Sequence, residues 1–195
     1  MPGSANGIGL PNFNLLPDLS YHETIYDKDE IVGDRYYILE KTEGFANVFF
    51  CLDLWDNSPC VLKEIPAYSG KEARNIAKIP FHKNVVQLLR LEVIGGSIFM
   101  VLEWLPDTLF DLIKKSQFSA NEITDAIFSI CCGLQHCISY LSTEEKAYVH
   151  KDIKPENVFY DGTFKLADFG GGYTPPYAAP EVENGLNADC RSDIF

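Results

Sequence analysis

The sequence lacks the features that place a protein in a membrane, in a secretory pathway or on nucleic acid. It has no run of eighteen apolar residues, so no membrane span is expected. Its N-terminus lacks a basic head followed by an apolar segment, so no secretory signal is expected there. Sixteen Lys and Arg face twenty-eight Asp and Glu, and the net charge of −12 argues against nucleic acid as the main partner. We expect a cytoplasmic protein, alone or within a larger assembly.

The six cysteines lack the spacing of metal sites. No C-x-x-C pair occurs, and no histidine lies at zinc-binding distance along the chain. Three of the cysteines, at positions 131, 132 and 137, fall inside an apolar helical run, where cysteine usually acts as a small hydrophobic residue. This usage is typical of a reducing, intracellular compartment.

Hydrophobic patterning divides the chain into three parts. Residues 1–33 are rich in Gly, Pro and Asn and predict an irregular arm. Residues 34–103 carry β-branched and aromatic runs, which predict a small β-rich lobe. Residues 104–195 begin with helical periodicity and predict a helical lobe.

Individual elements follow from the same patterns. Ser119 and Glu122 stand at capping-box spacing and predict the start of a long helix that ends near Leu141. The remaining expectations are a three-strand meander from Arg35 to Ile65, a helix over 71–79 that Pro80 ends, strands over 85–94 and 97–105, a short helix over 107–115, and short strand-like pieces over 149–153, 157–161 and 164–169.

The strongest chemical pattern is HKDIKPEN at 150–157, followed by DFG at 168–170. In-line phosphoryl transfer needs a carboxylate near the attacking hydroxyl, oxygen ligands for magnesium and cations on the phosphates. Asp152 can orient or accept from the hydroxyl, and Lys154 can neutralise the moving phosphoryl group. Asn157 and Asp168 supply the neutral and anionic oxygens that Mg²⁺ prefers.

This double motif resembles the catalytic loop and the magnesium loop of eukaryotic-type Ser/Thr protein kinases. The resemblance covers about residues 34–195 and implies an α+β, two-lobed protein-kinase fold that uses ATP and Mg²⁺. It implies that Asp152 and Lys154 are catalytic and that Asn157 and Asp168 bind the metal. It also implies a packing role for His150, rather than a catalytic one.

Other parts of the kinase pattern follow in the expected order. CVLK at 60–63 resembles the strand whose lysine binds the phosphates of ATP, which implies that role for Lys63. Glu72 is then the expected ion-pair partner of Lys63, because Glu64 is its strand neighbour and points to the opposite face. The remaining nucleotide-binding residues implied by resemblance are Val48, Val61, the hinge residues Leu102, Glu103 and Leu105, and Phe159 as the floor of the adenine site.

The sequence also departs from the family pattern. Lys41, Glu43 and Ala46 stand where the glycine-rich loop has glycines, whose backbone amides approach the phosphates closely. Lys151 replaces the usual arginine, and a lysine cannot hold an oxyanion bidentately. Only fourteen residues run from Asp168 to Glu181, so the usual activating phosphosite is absent. We therefore expect weaker nucleotide binding and no activation by loop phosphorylation.

The segment YTPPYAAPE resembles the substrate-docking segment of the family, and its Thr174 together with Lys154 is the Ser/Thr kinase pattern. We therefore predict ATP-dependent phosphorylation of Ser or Thr in protein substrates. The alternative from another class is a non-catalytic kinase-like scaffold, which the altered glycine loop favours. A small-molecule phosphotransferase is a third reading.

RSDIF at 191–195 resembles the start of the large buried helix of the helical lobe, and Asp193 is expected to brace the catalytic loop. The helical lobe is therefore expected to be incomplete. We expect a further chain segment or a partner to cover it.

Overall fold

The computed structural model describes residues 26–42, 47–65, 70–115 and 118–195. The chain divides into two compact units. Unit 1 is Met1–Gly70 with Leu88–Trp104, and unit 2 is Lys71–Gln87 with Leu105–Phe195. Most of the predicted irregular arm, residues 1–25, lies outside the described residues.

Unit 1 contains a six-stranded antiparallel sheet in the order β1-β2-β3-β4-β6-β5. The predicted meander is confirmed, and so is the pair of strands that follows it. Residues 85–87 and 104–105, also predicted as strand, lie outside the strands of the described chain, since β5 begins only at Leu88 and β6 ends at Glu103. The strands are β1 Ile31–Val32, β2 Tyr36–Lys41, β3 Val48–Asp53, β4 Ser58–Ile65, β5 Leu88–Ile94 and β6 Ser97–Glu103.

One face of this sheet forms the core of unit 1. Burial alternates along β3, where Phe49, Cys51 and Asp53 are buried and their neighbours are only half-buried. This two-residue period places the intervening side chains on the opposite face. The core cluster consists of Val32, Tyr36, Ile38, Phe49, Cys51, Cys60, Leu62, Phe99 and Val101.

Unit 2 is mainly helical and carries a three-stranded sheet in the order β7-β8-β9. The long helix α3 begins after Ser119, and the predicted capping box with Glu122 is confirmed. The elements are α1 Lys71–Ile76, β7 Asp107–Thr108, α2 Leu109–Lys115, α3 Ala120–Leu141, β8 Val158–Tyr160, β9 Phe164–Leu166 and α4 Pro180–Glu183.

Three predicted elements of unit 2 differ from the structure. Helix α1 ends at Ile76 rather than near residue 79, and α2 begins at Leu109 because the two residues before it pair as β7. Residues 149–153 form no strand. The amides of His150, Lys151 and Asp152 bond to side chains instead, which removes the donors that a strand ladder would use.

Helix α3 packs closely on one side and is exposed on another. Gly133 allows this packing, because a Cβ at that position would lie 2.4 Å from the carbonyl oxygen of Asn84. Ile123, Ile127 and Phe128 are exposed. Among the described residues, no helix has the length and apolar character needed to cross a bilayer.

Candidate active site

The catalytic loop, residues 150–157, is held in shape by Asp193. Its two carboxylate oxygens accept hydrogen bonds from the backbone amides of His150 and Lys151, at 2.8 and 2.7 Å. Lys151 has a φ of 77°, an uncommon conformation for a lysine that the bonds to Asp193 stabilise. The bracing role expected of Asp193 is therefore confirmed.

Asp152 is buried at the centre of the loop, with only 6% of its surface exposed. Its Oδ2 accepts a hydrogen bond from Asn157 Nδ2 at 3.0 Å and lies 3.1 Å from Lys154 Nζ. Asn157 Nδ2 also donates to the backbone carbonyl of Asp152 at 2.8 Å. Oδ1 of Asp152 is buried and has no hydrogen-bond partner among the described residues. One carboxylate oxygen is therefore fixed, while the other retains its capacity to accept.

Lys154 connects the catalytic loop to the segment after DFG. Its Nζ donates to Thr174 Oγ1 at 2.6 Å, in addition to its ion pair with Asp152. The two residues that the sequence paired as a Ser/Thr kinase pattern are thus in direct contact. Thr174 immediately precedes the 3-10 turn Pro175–Tyr177, whose prolines restrict the backbone next to the lysine.

The magnesium loop, residues 168–170, follows β9 and is tied to the catalytic loop. The amide of Ala167 donates to the carbonyl of Asn157 at 2.9 Å, and the carbonyl of Ala167 lies 3.0 Å from His150 Nε2. Asp168 has a φ of 64°, and its Oδ1 accepts from the amide of Gly170 at 3.4 Å. The loops that carry the two predicted metal ligands, Asn157 and Asp168, are therefore joined by the backbone hydrogen bond from Ala167 to Asn157.

His150 occupies the packing role that was expected of it. It is fully buried, and its ring meets that of Phe169 edge-on with 5.5 Å between centroids. Burial lowers the pKa of His150, so the ring is held neutral and polar contacts are made through its two nitrogens. We infer no proton-transfer role for it.

Helix α1 faces the magnesium loop with residues from successive turns. A Cβ at Gly170 would lie 3.8 Å from Cβ of Glu72, so the predicted ion-pair glutamate lies beside the loop. Asn75 Nδ2 donates to the carbonyl of Phe169 at 2.8 Å. The sequence analysis missed Asn75, whose only signal is its place three residues after Glu72. Lys63 belongs to unit 1, and its ion pair with Glu72 stays a prediction.

The predicted nucleotide-binding residues of unit 1 cluster through strand register. Val48 pairs with Lys63 across β3 and β4, and Val61 pairs with Leu102 across β4 and β6. Glu103 pairs with Cys60 at the end of β6. Because directly paired residues share a face, the two valines, Lys63 and Leu102 lie on the face opposite the core.

Glu64 is accounted for separately from Lys63. It is buried at 4% exposure, and its Oε2 accepts from Asn47 Nδ2 at 2.7 Å. This agrees with the prediction that the strand neighbour of Lys63 points to the other face.

The altered glycine-rich loop is only partly described. Glu43, Gly44 and Ala46 lie outside the described residues. Lys41, at the end of β2, donates to the carbonyl of Tyr26 at 3.1 Å, and its Nζ lies 5.7 Å from the centroid of Phe49. The lysine that replaces a glycine thus makes contacts within unit 1.

The remaining predicted residues lie in unit 2. Leu105 is buried, with 6% of its surface exposed. Phe159 lies in the middle of the small sheet, paired with Thr108 on β7 and with Lys165 on β9. Their contact with a nucleotide stays a prediction.

Comparisons with known proteins bear on the family and the fold of the chain. The sequence profile of the protein kinase domain matches residues 43–195. The mitosis inducer protein kinase cdr2 of Schizosaccharomyces pombe is 32% identical over 133 residues, covering 58% of this chain and 16% of that protein. CBL-interacting protein kinase 26 of Oryza sativa is 26% identical over 200 residues, covering 87% of this chain and 39% of that protein. The chain therefore spans less than half the length of these curated relatives.

A solved structure is similar to the chain as well. The crystal structure of the PknI kinase domain of Mycobacterium tuberculosis superposes with a TM-score of 0.65 at 16% sequence identity. The superposition covers 87% of this chain and 72% of that one. At this low identity the likeness bears on the fold alone.

Proposed function

The chain belongs to the protein kinase family, and on that premise we propose that it phosphorylates Ser and Thr side chains of protein substrates with Mg-ATP. The α+β protein-kinase fold predicted from the sequence is confirmed by the likeness to a solved kinase domain. The proposal extends from the family to the activity of this particular chain and to its substrate class.

The observation that carries the proposal is the unequal state of the two oxygens of Asp152. Oδ2 is held by Asn157 and Lys154, whereas the buried Oδ1 has no partner among the described residues. Burying an acceptor without a donor is unfavourable, so such an atom in a native site calls for a partner such as water, an ion or a ligand. A substrate hydroxyl that donates to Oδ1 would satisfy the carboxylate, and Asp152 would then hold the proton that the hydroxyl gives up.

The donor set around Asp152 fits a hard cation. Asn157 offers an amide oxygen and Asp168 a carboxylate, and their loops are connected by the hydrogen bond from Ala167 to Asn157. These two residues would hold Mg²⁺, which supplies charge neutralisation for the phosphates when it is bound.

Lys154 would act on the substrate side of the same site. Its ammonium group contacts Oδ2 of Asp152 and the hydroxyl of Thr174, so it is fixed beside the carboxylate whose other oxygen would accept from the substrate hydroxyl. From there it would stabilise negative charge that develops during transfer. Thr174 holds this lysine from the segment that is similar to the substrate-docking region of kinases.

The test is phosphate transfer by the 195-residue chain to general acceptor proteins, with labelled ATP and Mg²⁺. We expect phosphoserine or phosphothreonine in the products. Asp152→Asn should lower the rate by about 10²-fold to 10⁴-fold, because general base catalysis is lost. Nucleotide affinity, measured by calorimetry, should stay within twofold. Equal loss of binding and turnover would contradict the role given to Asp152.

A second candidate, a kinase-like scaffold that binds nucleotide poorly, is favoured by one feature. Lys41 replaces the first glycine of the phosphate loop, and its side chain contacts Tyr26 and Phe49 within unit 1. Glu43 adds negative charge to the same loop. If the phosphates approach it, Glu43→Gly should strengthen Mg-ATP binding by about 1 kcal/mol. Low-micromolar affinity of the wild-type chain would exclude the scaffold reading.

A further inference from the structure

We propose that Asn75 is a positioning residue that couples helix α1 to the magnesium loop and fixes the orientation of Asp168. This inference rests on the proposed function, since it assigns Asp168 to the metal. It adds a residue of this chain that lies outside the motifs of the sequence analysis. The contact joins two residues that are 94 positions apart in the chain.

The hydrogen bond itself is short and sheltered. Asn75 Nδ2 lies 2.8 Å from the carbonyl oxygen of Phe169, and Asn75 is only half-buried while Phe169 is fully buried. A carbonyl in such surroundings requires a donor from the protein, because water does not reach it. Asn75 meets that requirement from the neighbouring helix.

Helix α1 presents a continuous face to the loop. Glu72 and Asn75 are three residues apart and therefore share one side of the helix. Glu72 lies beside Gly170, and an added Cβ at Gly171 would lie 2.5 Å from Nζ of Lys71. Asn75 adds a hydrogen bond to the backbone of 169–171, and this bond helps to fix the register of the helix against the loop.

Asp168 is held from both sides of its own backbone. On its N-terminal side, the peptide of Ala167 contacts Asn157 and His150 of the catalytic loop. On its C-terminal side, the carbonyl of Phe169 contacts Asn75. Between these two attachments Asp168 adopts a φ of 64°, a conformation that needs support from its surroundings. Removing either attachment frees the backbone that aims the carboxylate.

The consequence is a direct mechanical connection between α1 and the metal site. A displacement of α1 would move the Phe169 carbonyl and with it the direction of the Asp168 side chain. The hydrogen bond from Asn75 reaches the residue directly after Asp168, so no flexible segment separates the helix from the aspartate. The position of α1 therefore sets the affinity of the site for magnesium.

The test compares three variants of the full 195-residue chain. Asn75→Leu has nearly the same shape but no donor, and Asn75→Gln restores a donor on a longer side chain. Arg74→Leu is the matched control, because Arg74 is exposed on the same helix. The first readout is amide hydrogen exchange without nucleotide at Gly170, whose N–H contacts Asp168 Oδ1. We expect the protection factor to fall about three- to tenfold in Asn75→Leu, and to stay unchanged in Arg74→Leu.

The second readout separates positioning from simple loss of stability. In Asn75→Leu, the Mg²⁺ concentration for half-maximal turnover should rise about three- to tenfold, while KM for the acceptor protein stays constant. Asn75→Gln should recover most of the wild-type value. Unchanged Gly170 exchange together with an unchanged Mg²⁺ requirement in Asn75→Leu would overturn the inference, as would equal effects in Arg74→Leu.

A wild-type measurement keeps the inference testable if the leucine variant fails to fold. The NMR scalar coupling across the hydrogen bond from Asn75 Nδ2 to the carbonyl carbon of Phe169 should be observable, and its absence would refute the contact. Exchange and coupling are measured without nucleotide, so they decide on Asn75 even if the chain transfers no phosphate. Failure of the proposed function would appear only in the turnover assay.

Discussion

Two buried aspartates, Asp53 in unit 1 and Asp152 in unit 2, differ in how many of their carboxylate oxygens have partners. Asp53 is fully buried, and Arg35 donates to both of its oxygens at 2.9 and 2.7 Å. Arg90 forms a further ion pair with Oδ2, and the amide of Trp55 donates to Oδ1 at 3.1 Å. Asp152 has partners on Oδ2 alone among the described residues.

The surroundings of Asp53 are those of a structural carboxylate. The hydrogen bond from Arg35 holds the pKa of Asp53 below its usual range. The same arginines connect to Glu92 and Tyr36, and burial raises the pKa of Tyr36 to about 12, so neither Asp53 nor Tyr36 titrates near neutrality. Asp53 is saturated with donors and serves folding, whereas the proposed function assigns the second oxygen of Asp152 to a reactant.

The largest effect on stability is expected from Asp53→Asn. The change leaves Arg35 and Arg90 without their buried counter-charge, which should cost about 3 kcal/mol of unfolding free energy. Both arginines retain some solvent contact, which keeps the cost at the low end for such pairs. Urea denaturation followed by circular dichroism measures it. Asp125→Asn, which changes an exposed carboxylate on α3, should stay within about 0.5 kcal/mol. Equal urea midpoints for Asp53→Asn and Asp125→Asn would contradict the structural role given to Asp53.

A smaller effect is expected from Thr174→Val, and it should fall on turnover. Valine keeps the shape of threonine but cannot accept the hydrogen bond from Lys154. Loss of one such bond corresponds to about 1 kcal/mol, so the rate should fall about fivefold with unfolding free energy nearly unchanged. Thr174→Ser, which retains the hydroxyl, is the control in steady-state assays. A loss of unfolding free energy in Thr174→Val as large as that in Asp53→Asn would show that Thr174 mainly stabilises the fold.

The smallest effect is expected from mild acid, through His82. Burial, followed by the nearby His136 and Lys83, lowers the pKa of His82 below its ordinary value of 6.5. Nδ1 of the neutral ring accepts a hydrogen bond from the backbone N–H of Asn84, with 3.2 Å between the nitrogens. The ring stacks on that of His136 with 4.4 Å between centroids. A depressed histidine pKa means that the unfolded chain binds the extra proton first. Stability should therefore fall as pH decreases below about 6.5.

His82→Asn is the matched variant for this pH effect, because an asparagine side chain can accept from the backbone amide two residues later without titrating. Its unfolding free energy should change less than that of the wild type between pH 7.5 and pH 5.5. Asp53 adds a separate pH dependence at lower pH. Its contribution to the unfolding free energy is present above pH 3.8 and is lost as the pH falls below that value. Identical slopes in both proteins would show that His82 is not the titrating group.

The sequence predicted the catalytic part of the molecule better than its supporting contacts. Asp152, Lys154 and Asn157 lie within six residues of one another, so their proximity follows from the motif itself. The contact between Asn75 and Phe169 spans 94 residues, and no local pattern encodes it. The same holds for Asp53 and Arg90, which are 37 residues apart and meet only through the order of the strands.

Errors in the predicted elements have a common physical cause. Residues 149–153 carry a β-branched residue at each end and so resemble a short strand, but Asp193 and His150 accept the amide hydrogens there. Asp107 and Thr108 continue the helical pattern of α2, yet they pair with β8. In both cases a tertiary contact overrides local periodicity, and a single sequence does not report that contact.

The most direct test of the account is the rate of phosphate transfer per folded molecule for Asp53→Asn and Asp152→Asn, measured beside the wild type at a temperature where all three are folded. The account predicts that Asp53→Asn transfers phosphate to Ser or Thr within about threefold of the wild-type rate, whereas Asp152→Asn loses at least about 10²-fold. An Asp152→Asn protein that retains wild-type transfer, or a wild-type chain that transfers none, would contradict it.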